Sequence, residues 1–211
     1  MSIPNVFVVD DDAAVRDSVS LLLETAGIPH RIFDSAEAFL RARLDSSAGC
    51  IILDVRMPGL SGPELQAELN ERGVSLPIIF LTAHGDIPLT VRAIKAGAVD
   101  FLTKPVNGSV LLDRVQAALA QSVRLQEEAS AQESLSRRME NLTDRERDVM
   151  ALAVAGHPNK EIARLLGISH RTVEIHRARV MHKTGATNLL ELARIAESGG
   201  FKAAPPADSE A

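Results

Sequence analysis

Along the first 118 residues, short apolar runs alternate with longer stretches in which apolar residues recur every three or four positions. VFVV at 6–9 reads as a strand, and 13–26 reads as a helix whose Val15, Val19, Leu22, Leu23 and Ala26 share one face. Gly27 stops that helix, RIF at 31–33 is a second strand, and Ser35 caps a helix running through residue 44. The alternation continues with strands at 50–53, 77–81 and 101–103 and helices at 61–72, 86–96 and from Ser109 onward. Runs such as IIFL at 78–81 are apolar throughout, the pattern of a parallel sheet covered on both faces. The expected fold class is therefore α/β, five βα units wound on both sides of one sheet. Functional groups should gather outside the carboxyl ends of its strands.

The pattern changes near residue 120. Residues 121–141 carry Gln, Glu, Ser, Ala and Arg without glycine or proline, with Leu125, Ala129, Leu135, Met139 and Leu142 as a thin stripe. A helical linker fits, whether as a solvated spacer, a helix lying on a neighbouring domain or a dimerising coiled coil. Four short helical patterns follow at 143–155, 159–166, 170–184 and 189–198. The expected organisation is an α/β domain at 1–120, the linker at 121–141, a small all-α four-helix domain at 142–200 and a disordered tail at 201–211.

Composition adds an asymmetry. The chain of 211 residues has a net charge of −5, and its first 118 residues hold 10 basic and 15 acidic side chains. In 156–185, however, the basic Lys160, Arg164, Arg171, Arg177, Arg179 and Lys183 face only Glu161 and Glu174, with four histidines beside them. The two ends thus want different partners. The single Cys50 excludes an internal disulfide and fits a reducing cytoplasm, while no apolar stretch approaches membrane-spanning length and the N-terminus lacks a basic leader.

Charged and hydroxyl residues recur where strands end: Asp10 and Asp11 after VFVV, Asp54 after IIL, Thr82 after IIFL and Lys104 after FLT. Parallel strands would bring these together, and crowded carboxylates require cations, supplied by Lys104 and a hard divalent ion such as Mg²⁺. In this order the residues resemble the receiver domains of two-component response regulators, with a flavodoxin-like fold. The resemblance implies that Asp54 accepts a phosphoryl group from a phosphohistidine on a sensor histidine kinase. It also implies that Asp11, Asp54 and the Arg56 carbonyl hold Mg²⁺, with Asp10 acting through a water. Thr82 and Lys104 would each hold a phosphoryl oxygen, and Phe101 would be the switch aromatic, although it fits plain core equally well. The helix beginning near Ile87, with strand 101–103, is the expected dimer face.

In NKEIARLLGISHRTVEIHRARVMHK, 159–183, Gly167 supplies a turn and Ser169 an N-cap, the spacing of a helix-turn-helix. Ile162, Ala163 and Leu166 are expected against Val173 and Val180, leaving Arg171, Glu174, Ile175 and Ala178 on a face that can enter a major groove. Lys160, Ser169, Thr172, Arg177, Arg179 and Lys183 complete the candidate contacts, the basic ones toward phosphates. Together with LTDRERDVM at 142–150, this segment resembles the LuxR-type domain of the NarL and FixJ group, FixJ-like regulators above all. Glu174 stands where many such domains have lysine. It either accepts from a cytosine amino group or pairs with Arg171 or Arg177.

The expectation is a cytoplasmic, non-enzymatic regulator whose phosphorylation promotes binding to promoter DNA as a homodimer, with RNA polymerase as a further partner. Two alternatives stay open: a transcription factor working without phosphate, and an Mg²⁺-dependent aspartyl phosphatase. The latter would want a second aspartate two residues after the nucleophile, where Arg56 stands.

Overall fold

The computed structural model describes residues 5–42, 48–83 and 87–198. The chain divides into two compact units, Met1–Glu127 and Glu128–Ala211. The first is built on five parallel strands, β1 (Asn5–Val9), β2 (His30–Phe33), β3 (Gly49–Asp54), β4 (Ile78–Thr82) and β5 (Asp100–Thr103), in the order β2-β1-β3-β4-β5. Helices α1 (Ala13–Thr25), α2 (Ala36–Arg41), α3 (Gly62–Glu71) and α4 (Ile87–Lys95) connect them, and α5 (Gly108–Glu140) follows β5.

Successive residues of a strand point to opposite faces, so each apolar strand feeds two cores. Phe7, Val9, Ile51, Leu53 and Phe80 pack with Phe39 of α2, Leu65 of α3 and Ala93 of α4. Their neighbours Val6, Val8, Ile52, Ile79 and Leu81 pack with Val19 and Leu23 of α1 and Leu111 and Val115 of α5. Cys50 belongs to the second core, where burial pushes its thiol up to about 12 and leaves it no thiolate chemistry near neutral pH.

Local signals account for the helix ends. The Asp12 side chain caps α1 by accepting from the Ala14 N–H, and Ser61 with Glu64 forms a capping box on α3. Two expectations are corrected. Ala26 is exposed, because α1 has ended before its turn would face the sheet. Helix α2 stops at Arg41, with Ala42 extended and its N–H closing onto the Phe39 carbonyl, so it does not continue toward residue 44, which lies outside the described residues. The helix expected from Ser109 and the helical segment expected at 121–141 form one helix, α5, with neither glycine nor proline between 109 and 141. Residues 86, 199–200 and the expected tail at 201–211 also lie outside the described residues.

Side chains of α5 fasten it to the start of β3. The Ile51 N–H donates to Pro77, and two residues earlier the same edge of β3 lies before β4 begins. The Gly49 N–H there donates to Ser122 Oγ at 2.9 Å, and the Ala48 N–H donates to Gln126 Oε1 at 3.0 Å. Buried backbone donors need such partners.

The second unit holds the end of α5 with α6 (Asp144–Val154), α7 (Asn159–Leu166), α8 (His170–Thr184) and α9 (Leu189–Ser198). Gly167, at φ 64°, ends α7 in the left-handed region, and Ser169 caps α8 by accepting from the Thr172 N–H. Ile162 and Val173 pack with Val149 and Ala153, with Ala163 and Leu166 alongside. Val180 does not join them; it packs with Met139, Leu142 and Met150. Seven residues move it about 10 Å along α8, beyond the reach of the short α7.

Glu146, 2% exposed, caps α6 by accepting from the Thr143 N–H and binds Lys183 Nζ at 2.6 Å. Burial pushes this carboxyl up, but the hydrogen bonds from Lys183 and Thr143 outweigh it and hold the group below its usual range. A depressed folded value contributes stability above the unfolded pKa of about 4.3, lost as pH falls through the folded value. Glu146→Gln should therefore cost about 1 kcal/mol near neutral pH, moderated by the partial exposure of Lys183. Urea unfolding should show the gap from wild type closing as the buffer is taken below the usual carboxylate range.

Candidate functional site

The parallel register aligns Val9 with Leu53, Asp54 with Leu81 and Thr82 with Thr103, so the residues ending β1, β3, β4 and β5 share one edge of the sheet. Asp10 and Asp54 are buried there, at 1% and 6% exposure, whereas Asp11 is exposed. Lys104 Nζ donates to Asp10 Oδ2 at 2.6 Å and to Asp54 Oδ1 at 2.7 Å. The second oxygen of each carboxylate takes a backbone donor: Asp12 N–H on Asp10 Oδ1 at 3.0 Å and Arg56 N–H on Asp54 Oδ2 at 2.9 Å. These contacts answer how a strand buried throughout can end in a carboxylate.

Burial raises the Asp10 carboxyl, and the charge of Asp54 adds to that; Lys104 and the Asp12 N–H offset it only in part. For Lys104, burial works to lower the ammonium, but the hydrogen bonds and charges of Asp10 and Asp54 outweigh it and raise the group. One ammonium thus serves two carboxylates, Asp10 and Asp54, and one oxygen from each of Asp10, Asp11 and Asp54 lies within 4.8 Å of the other two. A hard divalent cation with oxygen ligands suits this donor set, since Mg²⁺ takes one or two carboxylates and fills its remaining positions with water or phosphate oxygens.

Thr82 is buried at the same edge, and its carbonyl accepts from the Lys104 N–H at 2.7 Å, which ties the lysine backbone to β4. Phe101 is half-buried on β5 with its ring centroid 6.0 Å from that of Phe80. Arg56 presents its side chain to solvent and its backbone to Asp54. Two contributors escape a reading of spacing alone: Arg16, whose guanidinium donates to the Asp10 carbonyl at 2.7 Å, and Glu37, which accepts from the Leu60 N–H at 3.0 Å. Both look like ordinary helix-surface charges.

In the second unit, Arg171, Glu174, Ile175, Ala178 and Arg179 are exposed on α8 at steps of three and four residues, and Lys160 is exposed at the start of α7. Ser169 and Thr172 bond each other at 2.8 Å through their hydroxyls. Glu174 accepts from Arg171 at 3.3 Å and lies 3.7 Å from His170 Nδ1. Arg177 instead donates to Asn159 Oδ1 at 2.6 Å, which holds its guanidinium at the junction of α7 and α8. The Lys183 ammonium is bound by Glu146 and by the Asn141 carbonyl at 3.0 Å, which supplies the buried carboxylate with a cation.

Comparison with known proteins bears on both sites. Residues 6–116 match the response regulator receiver domain, and residues 140–196 match the bacterial regulatory proteins of the luxR family. The transcriptional regulatory protein FixJ of Azorhizobium caulinodans is 46% identical over 96% of this chain and 95% of its own length. TdiR of Thauera aromatica is 47% identical over 85% of this chain and 79% of its own. Among solved structures, the response regulator StyR aligns with a TM-score of 0.86 at 43% identity, covering 93% of this chain and 99% of that one. Full-length FixJ from B. japonicum aligns at 0.57 and 42% identity, covering 96% and 100%. No described helix is long and apolar enough to cross a membrane. With a receiver domain followed by a luxR-family DNA-binding domain, this chain belongs to the FixJ-like response regulators.

Proposed function

We propose that phosphoryl transfer to Asp54 controls the binding of this regulator to promoter DNA, in the cytoplasm and without enzymatic turnover of a further substrate. The observation that carries this reading is Asp54 itself, a strand-end carboxylate held between Lys104 and the Arg56 N–H beside Asp10 and Asp11. An Asp54 oxygen attacks phosphorus of a sensor kinase's phosphohistidine, the P–N bond breaks and the imidazole leaves. Asp11, Asp54 and the Arg56 carbonyl would hold Mg²⁺, with Asp10 acting through water; bound there, the ion neutralises charge on the transferring group. Lys104 pairs with one phosphoryl oxygen, and the Thr82 hydroxyl is drawn to another.

Downstream, Arg171, Glu174, Ile175 and Ala178 meet base edges, with Thr172 and Ser169 near the backbone. Lys160, Arg177, Arg179 and Lys183 serve phosphates. The functional division follows as receiver 1–120, linker 121–141 and DNA-binding domain 142–200, with RNA polymerase contacted on the promoter. Treating the chain with acetyl phosphate and Mg²⁺ and titrating it onto selected promoter DNA tests the reading; affinity unchanged by phosphorylation would reject it.

The dimer surface proposed on α4 and β5 gains support from Val91 and Ile94, which are 47% and 45% exposed on α4. Replacing both by Asp should keep the phosphorylated protein monomeric in sedimentation and weaken binding to a two-fold operator by about tenfold or more. Normal dimerisation of that variant would move the interface elsewhere.

A further inference from the structure

The segment that follows Asp54 is held by a residue from another element. Its base is closed by the Gly62 N–H, which donates to the Val55 carbonyl at 3.1 Å. Gly62 admits no side chain, since a Cβ there would collide with the Asp54 carbonyl and come within 3.0 Å of the Phe80 ring. Met57 is buried in the core, and the Arg56 N–H lies on Asp54 Oδ2. At the far end the Leu60 N–H donates to Oε1 of Glu37, 23 residues earlier on α2. Gly59 has φ 75°, and a Cβ added to it would lie 2.5 Å from the same Glu37 oxygen. The carboxylate therefore fills the space where any other side chain at 59 would begin.

A carboxylate in the first turn of a helix gains from the helix dipole wherever it points. That general effect explains neither the hydrogen bond to a distant loop nor the close approach at Gly59. We infer that Glu37 is a positioning residue for the phosphoacceptor site. By holding Leu60 it sets the backbone of 56–60, so that Arg56 can donate to Asp54 and turn its carbonyl toward a divalent cation. The inference rests on the proposed function only for the use made of that cation.

The test compares full-length wild type, Glu37→Ala and Glu37→Gln by isothermal titration with Mg²⁺ alone, alongside the amide resonance of Arg56 in NMR spectra. Glu37→Ala should weaken Mg²⁺ binding by about three- to tenfold, the equivalent of one lost hydrogen bond, and shift the Arg56 resonance. Glu37→Gln retains an amide oxygen for the Leu60 N–H and should stay within about twofold of wild type. Slowed phosphorylation of Glu37→Ala by acetyl phosphate should recover at saturating Mg²⁺. If Glu37→Ala fails to fold, Gly59→Ala displaces the same carboxylate and should weaken Mg²⁺ similarly. Wild-type Mg²⁺ affinity in Glu37→Ala or, in its place, Gly59→Ala overturns the inference, as does equal loss in Glu37→Gln. A wild-type chain that binds Mg²⁺ but takes no phosphoryl group on Asp54 would instead reject the proposed function and leave the Glu37 comparison readable.

Discussion

Asp54→Asn should take up no phosphoryl group from acetyl phosphate, and its affinity for promoter DNA should be the same with and without the donor. The amide keeps an oxygen that can accept from the Arg56 N–H, so the loop after β3 stays in place. What is lost is the nucleophile, since a neutral amide oxygen does not form the acyl phosphate, and Lys104 is left with Asp10 as its one charged partner of the two. Intact-mass measurement should show modification reduced by about a hundredfold or more. A variant that still gains affinity for DNA on treatment would locate the phosphoacceptor elsewhere. One whose wild-type parent also ignores the donor would favour a receiver working without phosphate.

Lys104→Met should make the stability of the first unit depend on Mg²⁺. In the wild type the ammonium bridges Asp10 and Asp54, and its side chain is 18% exposed. Removing it leaves two buried carboxylates facing each other, at a cost of about 2–3 kcal/mol in the absence of metal. This lies below the range for a fully buried pair, because the site opens toward solvent at Asp11. The lost cation also competed for Asp54 Oδ1, so Mg²⁺ should bind the variant more tightly and restore more of its stability. Thermal unfolding in EDTA and in Mg²⁺ measures this directly. Equal Mg²⁺-induced shifts in Tm for wild type and variant would show that Lys104 and the cation do not share oxygens. Phosphorylated Lys104→Met should also lose its DNA response, because one phosphoryl oxygen then lacks its partner.

The acidic site could be found from the chain because each of its members is punctuation: Asp10, Asp54, Thr82 and Lys104 each end or follow an apolar run. A parallel sheet brings such positions to one edge whatever the details of packing. The supporting residues carry no such mark. Arg16 and Glu37 sit on helices among other charges, and only the placement of α1 and α2 against the sheet brings one to the Asp10 carbonyl and the other to Leu60. The outward face of α8 was likewise readable from its three- and four-residue spacing, while the fate of individual charges on it was not. Glu174 lies by Arg171, one turn away, but Arg177 reaches Asn159 and Lys183 reaches Glu146, partners 18 and 37 residues distant.

By itself the sequence determined the five βα units, the sheet buried on both faces, the strand-end carboxylates and a helix-turn-helix turned by Gly167. These depend on the period of apolar residues and on local backbone chemistry, which neighbours in the chain decide. Tertiary structure alone decided which cation serves which carboxylate, which core receives Val180, and how Ser122 and Gln126 complete the start of β3. A buried charge or an unpaired N–H must find a partner, but the demand is met by whatever donor or acceptor the packed chain brings within about 3 Å, and sequence separation has no bearing on that distance.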